Sequence, residues 1–356
     1  MRLMIAGGGT GGHLFPGIAI AEELRAREAG AAVRFVGTTR GIEARVLPEQ
    51  GWDLDTIDVS GIKTQGVLGA IRGMFRVPRA LWQARRVLKA FKPDAVIGVG
   101  GYASGPVVLM AKLRGIPTAI CEQNSIPGLT NKILGRFVRR VFLAFEETRR
   151  FFKPKKILMT GNPIRRDLVA KLRAGATSDP ATTHVLVCGG SLGAVAVNDL
   201  ASQALIALAK EQPLAIVHQT GDKDADKIRA RYAEAGVTAE VSAFIKDMAI
   251  AYLGADLIVA RAGATTVAEL AIAGKPAIFI PYPFAADDYQ TLNAREMVSR
   301  GAALSFVQAE LTAEKLADAL RALIADPGAR AKMSEAMKAF AKPEAAGAIV
   351  DWLGTL

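Results

Sequence analysis

The feature that most constrains this chain is a pattern that occurs twice: a short apolar run, then a glycine-rich loop, then a helical stretch. Near the N-terminus, Leu3 to Ala6 reads as a buried strand and Gly7 to Gly12 as a tight loop. Pro16 to Ala26 then reads as a helix with apolar positions Ile18, Ala19, Ala21 and Leu24. Near mid-chain the run Val185 to Cys188 leads into Gly189, Gly190, Ser191, Leu192 and Gly193, followed by a helical stretch from Ala194 to Lys210. Further apolar runs at Ala95 to Val99, Ala119 to Cys121, Ile216 to His218, Leu257 to Ala260 and Ala277 to Ile280 alternate with helical segments. That alternation predicts an α/β fold with parallel sheets, in two nucleotide-binding-type halves.

A chain of 356 residues is long enough for two separate cores. The stretch from Ala174 to Thr183 is small and polar and contains Pro180, which places a linker between the halves. The expected division is a first domain at 1–166, a linker at 167–183 and a second domain at 184–328. The last segment, 329–356, reads as helical with Phe340, Trp352 and Leu353 as apolar anchors, and is expected to pack back on the first domain.

The formal net charge of +11 is unevenly distributed. Residues 1–176 hold 29 lysines and arginines against 13 acidic residues, whereas residues 177–356 hold 16 against 21. The first half is therefore suited to something anionic, and nucleic acid, anionic lipid or a merely solvated basic surface all fit that sign. No nucleic-acid module or aromatic stacking platform accompanies it, so nucleic acid is not an expected partner. Between Val67 and Val87, Leu68, Ile71, Met74, Phe75, Leu81 and Trp82 interleave with five arginines, a basic amphipathic pattern suited to an anionic bilayer surface or, for its apolar half, to the core. Only two cysteines occur, Cys121 and Cys188, which points to a reducing compartment. Four apolar residues before Gly7 are too few for a signal-peptide core, and glycines and Pro106 break the uncharged stretch between Asp94 and Lys112.

Glycines lacking a β-carbon let backbone N–H groups approach a ligand, and the helix after the loop offers its positive end, so Gly7 to His13 suits an anion. Glycines that serve only a tight turn would look the same, and no Gly-Lys-Ser/Thr follows. Two more loops, VGGYASGP at 99–106 and CEQNSIPGLTNK at 121–132, follow strands and should sit at their carboxyl ends, where open α/β sheets bind ligands. In RAGATTVAEL at 261–270, Glu269 either serves a helix dipole or accepts hydrogen bonds from ribose hydroxyls. Asp287 and Asp288 are adjacent instead of spaced to share a cation, so no metal is expected. His184 and His218 lie on or beside core strands and read as packing or hydrogen-bonding residues.

Taken together, GGGTGGHLFPG at 7–17, GVGGYASGP at 98–106, EQNSIPGLTNK at 122–132, GNPIR at 161–165, GGSLGA at 189–194 and RAGATTVAEL at 261–270 resemble the MurG family. Its members transfer N-acetylglucosamine from UDP-N-acetylglucosamine to a muramyl pentapeptide carried on undecaprenyl pyrophosphate. The resemblance implies a GT-B fold of two Rossmann-like domains, with donor in the C-terminal domain and lipid acceptor in the N-terminal one. It also implies an inverting transfer to the C4 hydroxyl, a place in peptidoglycan synthesis, and a peripheral position on the cytoplasmic face of the inner membrane. An anionic membrane surface and other cell-wall synthesis proteins are the further partners it implies, and no cofactor.

By motif, Ser191 and Arg165 would hold the donor diphosphate, Ile245 would present its backbone to the uracil, and Glu269 would bind the ribose. Ala264, Thr265, Thr266, Val267 and Ala268 form the helix start beside it, and Gln290 would contact the sugar. Thr10, Gly11, Gly12 and Asn124 correspond to the first-domain side of the donor pocket. His13 would sit where acceptor pyrophosphate and sugar hydroxyl converge, either as the general base or as a phosphate contact or helix cap. The sequence departs from the family's usual pattern at Cys121, Ala262 and Tyr289, which touches the shape of the sugar pocket.

Overall fold

In the first strand, Leu3 and Ile5 join one cluster of buried side chains while Met4 and Ala6 join another, as the two-residue period of a strand requires. Both faces of this strand are therefore core, and its residues must be a continuous apolar run. The computed structural model describes residues 1–59, 67–174, 182–190, 193–285 and 288–356, with the side chains of 67–77 and 174 outside that description. The chain divides into two compact units, Met1–Arg166 with Pro343–Leu356, and Asp167–Lys342.

Among the described residues the first unit carries strands β1 (Arg2–Gly7), β2 (Ala32–Gly37), β3 (Leu54–Thr56), β4 (Ala95–Gly100), β5 (Thr118–Glu122), β6 (Arg140–Leu143) and β7 (Ile157–Met159). They form one sheet in the order β3-β2-β1-β4-β5-β6-β7, every pairing parallel. The second unit carries β8 (Thr183–Cys188), β9 (Leu214–Gln219), β10 (Glu240–Ser242), β11 (Leu257–Ala260), β12 (Ala277–Phe279) and β13 (Ala303–Ser305). Their order is β10-β9-β8-β11-β12-β13, again all parallel. In each sheet the chain winds outward from a central strand, β1 or β8, first to one side and then to the other. A crevice opens at the carboxyl end of such a strand, and that is where both glycine loops fall.

The C-terminal helix Ala345–Leu353 belongs to the first unit. Ile349, Val350 and Leu353 enter the cluster that also holds Leu14 and Ile18 of the helix Gly11–Arg27. Trp352 meets Phe142 edge-on at 5.4 Å, and Arg27 pairs with Asp351 at 2.5 Å. The helix Pro327–Phe340, by contrast, stays with the second unit, although the sequence grouped it with the segment expected to fold back. The reason is its apolar face: Met333 enters the second unit's core cluster, and the Ser334 hydroxyl donates to the Gly274 carbonyl at 2.5 Å. Residues 167–174, read as linker, lie in a helix, Arg166–Ala174, that buries Leu168, Val169 and Leu172. Lys171 on it pairs with Asp247 at 2.6 Å within the second unit.

The helix Val67–Phe91 turns Ala80, Ala84 and Leu88 to the core and leaves Trp82 62% exposed, while Phe75 lies outside the described side chains. Among the described residues no helix is long and apolar enough to cross a membrane. Ile349→Ala should destabilise the first unit by about 2–5 kcal/mol through the cavity left in a fully buried site. Hydrogen exchange would then quicken in β1 and β4 while β8 and β11 keep their protection. Equal acceleration in both sheets would show instead that the C-terminal helix does not act locally.

Candidate functional site

The site begins with loops that pack backbone against backbone. Gly8 donates its N–H to the Gly100 carbonyl at 3.3 Å, so the loop after β1 lies on the loop after β4. Gly101 has φ +79°, and a β-carbon there would fall 2.4 Å from the Gly8 carbonyl oxygen, which no larger residue tolerates. A β-carbon on Gly100 would likewise fall 2.5 Å from the His13 ring. His13 is thus packed against Gly100, with its Nδ1 3.3 Å from the Thr10 hydroxyl. Thr10 and Gly12 are exposed and Gly11 half-buried, at the start of the helix Gly11–Arg27. Desolvation lowers the His13 pKa, opposed by a hydrogen bond with the Gly8 backbone and by the charge of Glu43. The ring is therefore neutral at neutral pH, the form able to accept a proton.

Glu43 was not visible as a site residue in the sequence. It is fully buried and accepts hydrogen bonds from the Gly9 N–H at 2.7 Å and from the Thr38 N–H and hydroxyl, both at 2.9 Å. The loop was expected to offer its N–H groups to a ligand, but that of Gly9 is taken by the protein's own carboxylate. The signal lay in GTTRGIEA at 37–44, where two glycines come shortly before the glutamate. Gly37 and Gly41 leave no space for a β-carbon beside its side chain.

At the end of β5, Glu122 is buried and receives the Asn131 amide at 2.9 Å and the N–H groups of Asn124 and Gly128, both at 3.1 Å. Burial pushes its pKa up, against these hydrogen bonds. Asn124 is held by its neighbour as a result, its carbonyl also accepting from Thr148 at 2.9 Å. Burial also raises the pKa of the Cys121 thiol, so it remains protonated. Arg165 lies in the first unit with its guanidinium 5.9 Å from the Phe15 ring centre.

In the second unit, Gly193 has φ +74° and passes so close to the Thr220 carbonyl that a β-carbon could not fit. Ser191 lies outside the described residues, so the loop is seen through Gly189, Gly190 and Gly193. Ile245 donates its N–H to the Gln219 side chain at 3.0 Å, which leaves its carbonyl as the group it can offer a base. The helix Ala264–Ala273 starts after Gly263 at the end of β11 and carries Thr265, Thr266 and Ala268 half-buried. Val267 is fully buried, so only its backbone can meet a ligand. Glu269 accepts a hydrogen bond from the Tyr252 hydroxyl at 2.9 Å, a partner that sequence reasoning missed because the two lie on different helices. Gln290 accepts from the Tyr282 N–H at 3.0 Å. Arg261 donates to the carbonyls of Ile280 and Pro281 at 2.8 and 2.9 Å and braces this loop cluster, its pKa lowered by burial to about 10.

Each unit is thus a parallel sheet with a glycine loop at its switch point, and the second adds Glu269, which lies past the first turn of the helix Ala264–Ala273 and not at its start, where the sequence had placed it beside the helix dipole. These features define a two-domain α/β protein built to bind nucleotide-type ligands. The model of the glycosyltransferase family 28 N-terminal domain matches residues 3–143, and that of the family 28 C-terminal domain matches residues 184–349. The chain belongs to the MurG family of these glycosyltransferases and has the GT-B fold. It is 51% identical, over 99% of its length and 92% of the relative's, to the UDP-N-acetylglucosamine--N-acetylmuramyl-(pentapeptide) pyrophosphoryl-undecaprenol N-acetylglucosamine transferase of Myxococcus xanthus. The protein of the same name from an Anaeromyxobacter strain is 49% identical, with 99% of this chain and 92% of that one covered. The crystal structure of MurG from Acinetobacter baumannii is similar with a TM-score of 0.82 and 36% identity, covering 100% of this chain and 99% of that one.

His218, on β9, is fully buried between the Tyr232 hydroxyl at 3.1 Å and Asn198 at 3.2 Å. Desolvation lowers its pKa from the ordinary 6.5 to about 4, with Arg231 adding to the effect. The unfolded chain then binds a proton below pH 6.5 that the folded chain refuses until about pH 4, so this histidine's penalty grows as pH falls through that window. We expect the second unit to lose up to about 3 kcal/mol between pH 6.5 and 4 from this group, at roughly 1.4 kcal/mol per unit. His218→Gln, which lacks the titrating ring, should flatten that slope in denaturant titrations. A parental slope in the variant would assign it to other groups.

Proposed function

We propose that this chain transfers N-acetylglucosamine from UDP-N-acetylglucosamine to the C4 hydroxyl of a muramyl pentapeptide carried on undecaprenyl pyrophosphate, with inversion at the sugar. The observation that carries the proposal is the near-full-length similarity to transferases of that name. Label moving from UDP-N-acetylglucosamine to the purified lipid-linked acceptor tests it. Binding of UDP without any transfer would reject it.

The chemistry assigns roles by position. In the second unit, Glu269, held by Tyr252, receives the ribose hydroxyls, and the Ile245 backbone receives the uracil. The helices that begin at Val195 and Ala264 direct N–H groups and positive dipole ends at the diphosphate, with Ser191 and the backbone of Ala264 to Ala268 completing the cradle, and Arg165 of the first unit is proposed as a further diphosphate ligand. Gln290 contacts the sugar, and Thr10, Gly11, Gly12 and Asn124 are the residues proposed to meet substrate in the first unit. As the acceptor oxygen forms its bond to the sugar's C1, the bond from C1 to the diphosphate oxygen breaks. His13 takes the hydroxyl proton, and the negative charge of Glu43 favours the imidazolium so formed.

The acceptor is a lipid, and the first unit offers a surface for its bilayer. The helices Val67–Phe91, Ser104–Leu113 and Leu129–Leu134 contribute to one buried layer through Leu88, Val108 and Leu134. Their outer side leaves Trp82, Leu113, Leu129 and Ile133 exposed, with Lys132 and Arg136 nearby in sequence. That combination supports a peripheral seat on an anionic bilayer surface, and the proposal takes this to be the cytoplasmic leaflet, with other cell-wall synthesis proteins as neighbours.

Two outcomes are expected. His13→Ala should lower kcat by about 10²- to 10⁴-fold with donor affinity unchanged, and the acid limb of the parental kcat profile should fall below pH 6.5. A raised acceptor KM with parental kcat would make His13 a binding residue instead. Replacing Trp82 and Ile133 with serine should reduce sedimentation with anionic vesicles while UDP binding stays intact, and equal sedimentation would remove this surface from the account.

A further inference from the structure

The diphosphate loop and the turn at Ile245 follow different strands, yet one side chain touches both. Gln219 is the last residue of β9 and is buried. Its Nε2 donates to the Gly190 carbonyl at 3.1 Å, and its Oε1 accepts from the Ile245 N–H at 3.0 Å. The partners fix which way the amide points, because only its NH₂ can serve a carbonyl and only its oxygen can serve an N–H.

The residues around Gln219 are anchored independently. His218 is held by Tyr232 and Asn198. The Thr220 N–H donates to the Ser242 carbonyl at 3.0 Å, and its carbonyl accepts the Asn198 amide at 2.9 Å. The Gly221 N–H donates to the Ala243 carbonyl at 3.0 Å. The backbone that carries Gln219 is therefore fixed to two other elements, and the side chain is a strut between two loops. Neither contact serves the sheet ladder, and neither is needed to bury an apolar surface.

We propose that Gln219 is a positioning residue for the donor: it sets the spacing between the backbone that meets the diphosphate and the backbone that meets the base. The proposal rests on the donor-site reading above. A nucleoside diphosphate spans both loops, whereas a nucleoside alone needs only one, so the strut matters most for the ligand that must satisfy both ends at once. Pre-setting that span removes an ordering cost from binding.

The test compares UDP with uridine by calorimetry or ligand-observed NMR in Gln219→Met, which keeps the length and loses both hydrogen bonds. Gln219→Glu is the second variant; it keeps an acceptor for Ile245 but sets a carboxylate against the Gly190 carbonyl. We expect each to weaken UDP at least tenfold, about 1.4 kcal/mol, and uridine less than threefold. The donor KM should rise while the acceptor KM stays parental. If the Met variant lacks a cooperative melting transition, the Glu variant decides. UDP affinity within twofold of the parent in a folded variant, or an equal loss for UDP and uridine, overturns the proposal. Glu269→Ala is the control: if it leaves UDP affinity untouched, the donor-site reading has failed and not the strut.

Discussion

Every described strand pairing in this protein is parallel, and the strands that build the two cores are buried on both faces. Polar side chains cannot be housed in the middle of such a sheet unless they are fully paired, as His218 is. They collect instead where the strands end. Glu122 closes β5, Gln219 closes β9, and the glycine loops follow β1 and β8. The functional groups are thus gathered by the same constraint that builds the core, and the winding of each sheet about its central strand opens the space they line.

Burial also governs how these groups behave. Glu43 and Glu122 are each removed from water and each stabilised by several donors, so removing one donor exposes a buried carboxylate to an unmet hydrogen-bonding need of about 1–3 kcal/mol or more. Arg261 is committed to two carbonyls and to Gln308 at 2.7 Å, which makes it a brace for the loops after β11 and β12. Charge in this molecule therefore serves shape first, and His13 is the group proposed above to change its protonation during the reaction.

The parts legible in the sequence were those written locally. Leu3 to Ala6 and Val185 to Cys188 announce themselves as strands because nothing in them is polar enough to face water, and the glycines after them mark positive φ or close backbone approach. Tyr252 and Gln219 were not legible, because each acts on residues of another element and spacing carries no record of that meeting, and the local glycines that mark Glu43 give no sign of its bond to Gly9. The helix Pro327–Phe340 shows the same limit: Phe340 reads as an apolar anchor, but the sequence does not say which unit receives it, and Arg300 of the second unit lies over its ring at 5.2 Å. Trp352 was legible as an anchor, and its partner Phe142 was not.

The last helix gives the first unit an unusual birth. Ile349, Val350 and Leu353 fill a core whose other members are drawn from the first 150 residues, so the chain leaves this unit, builds the whole of the second, and returns. Domains emerging from the ribosome generally fold in order from the N-terminus. Here the core that holds Leu14 and Ile18 also needs Ile349, Val350 and Leu353, whereas the second unit's core cluster draws on no residue beyond Met333. A polypeptide cut short by even one helix would release a finished second unit tied to an unfinished first one.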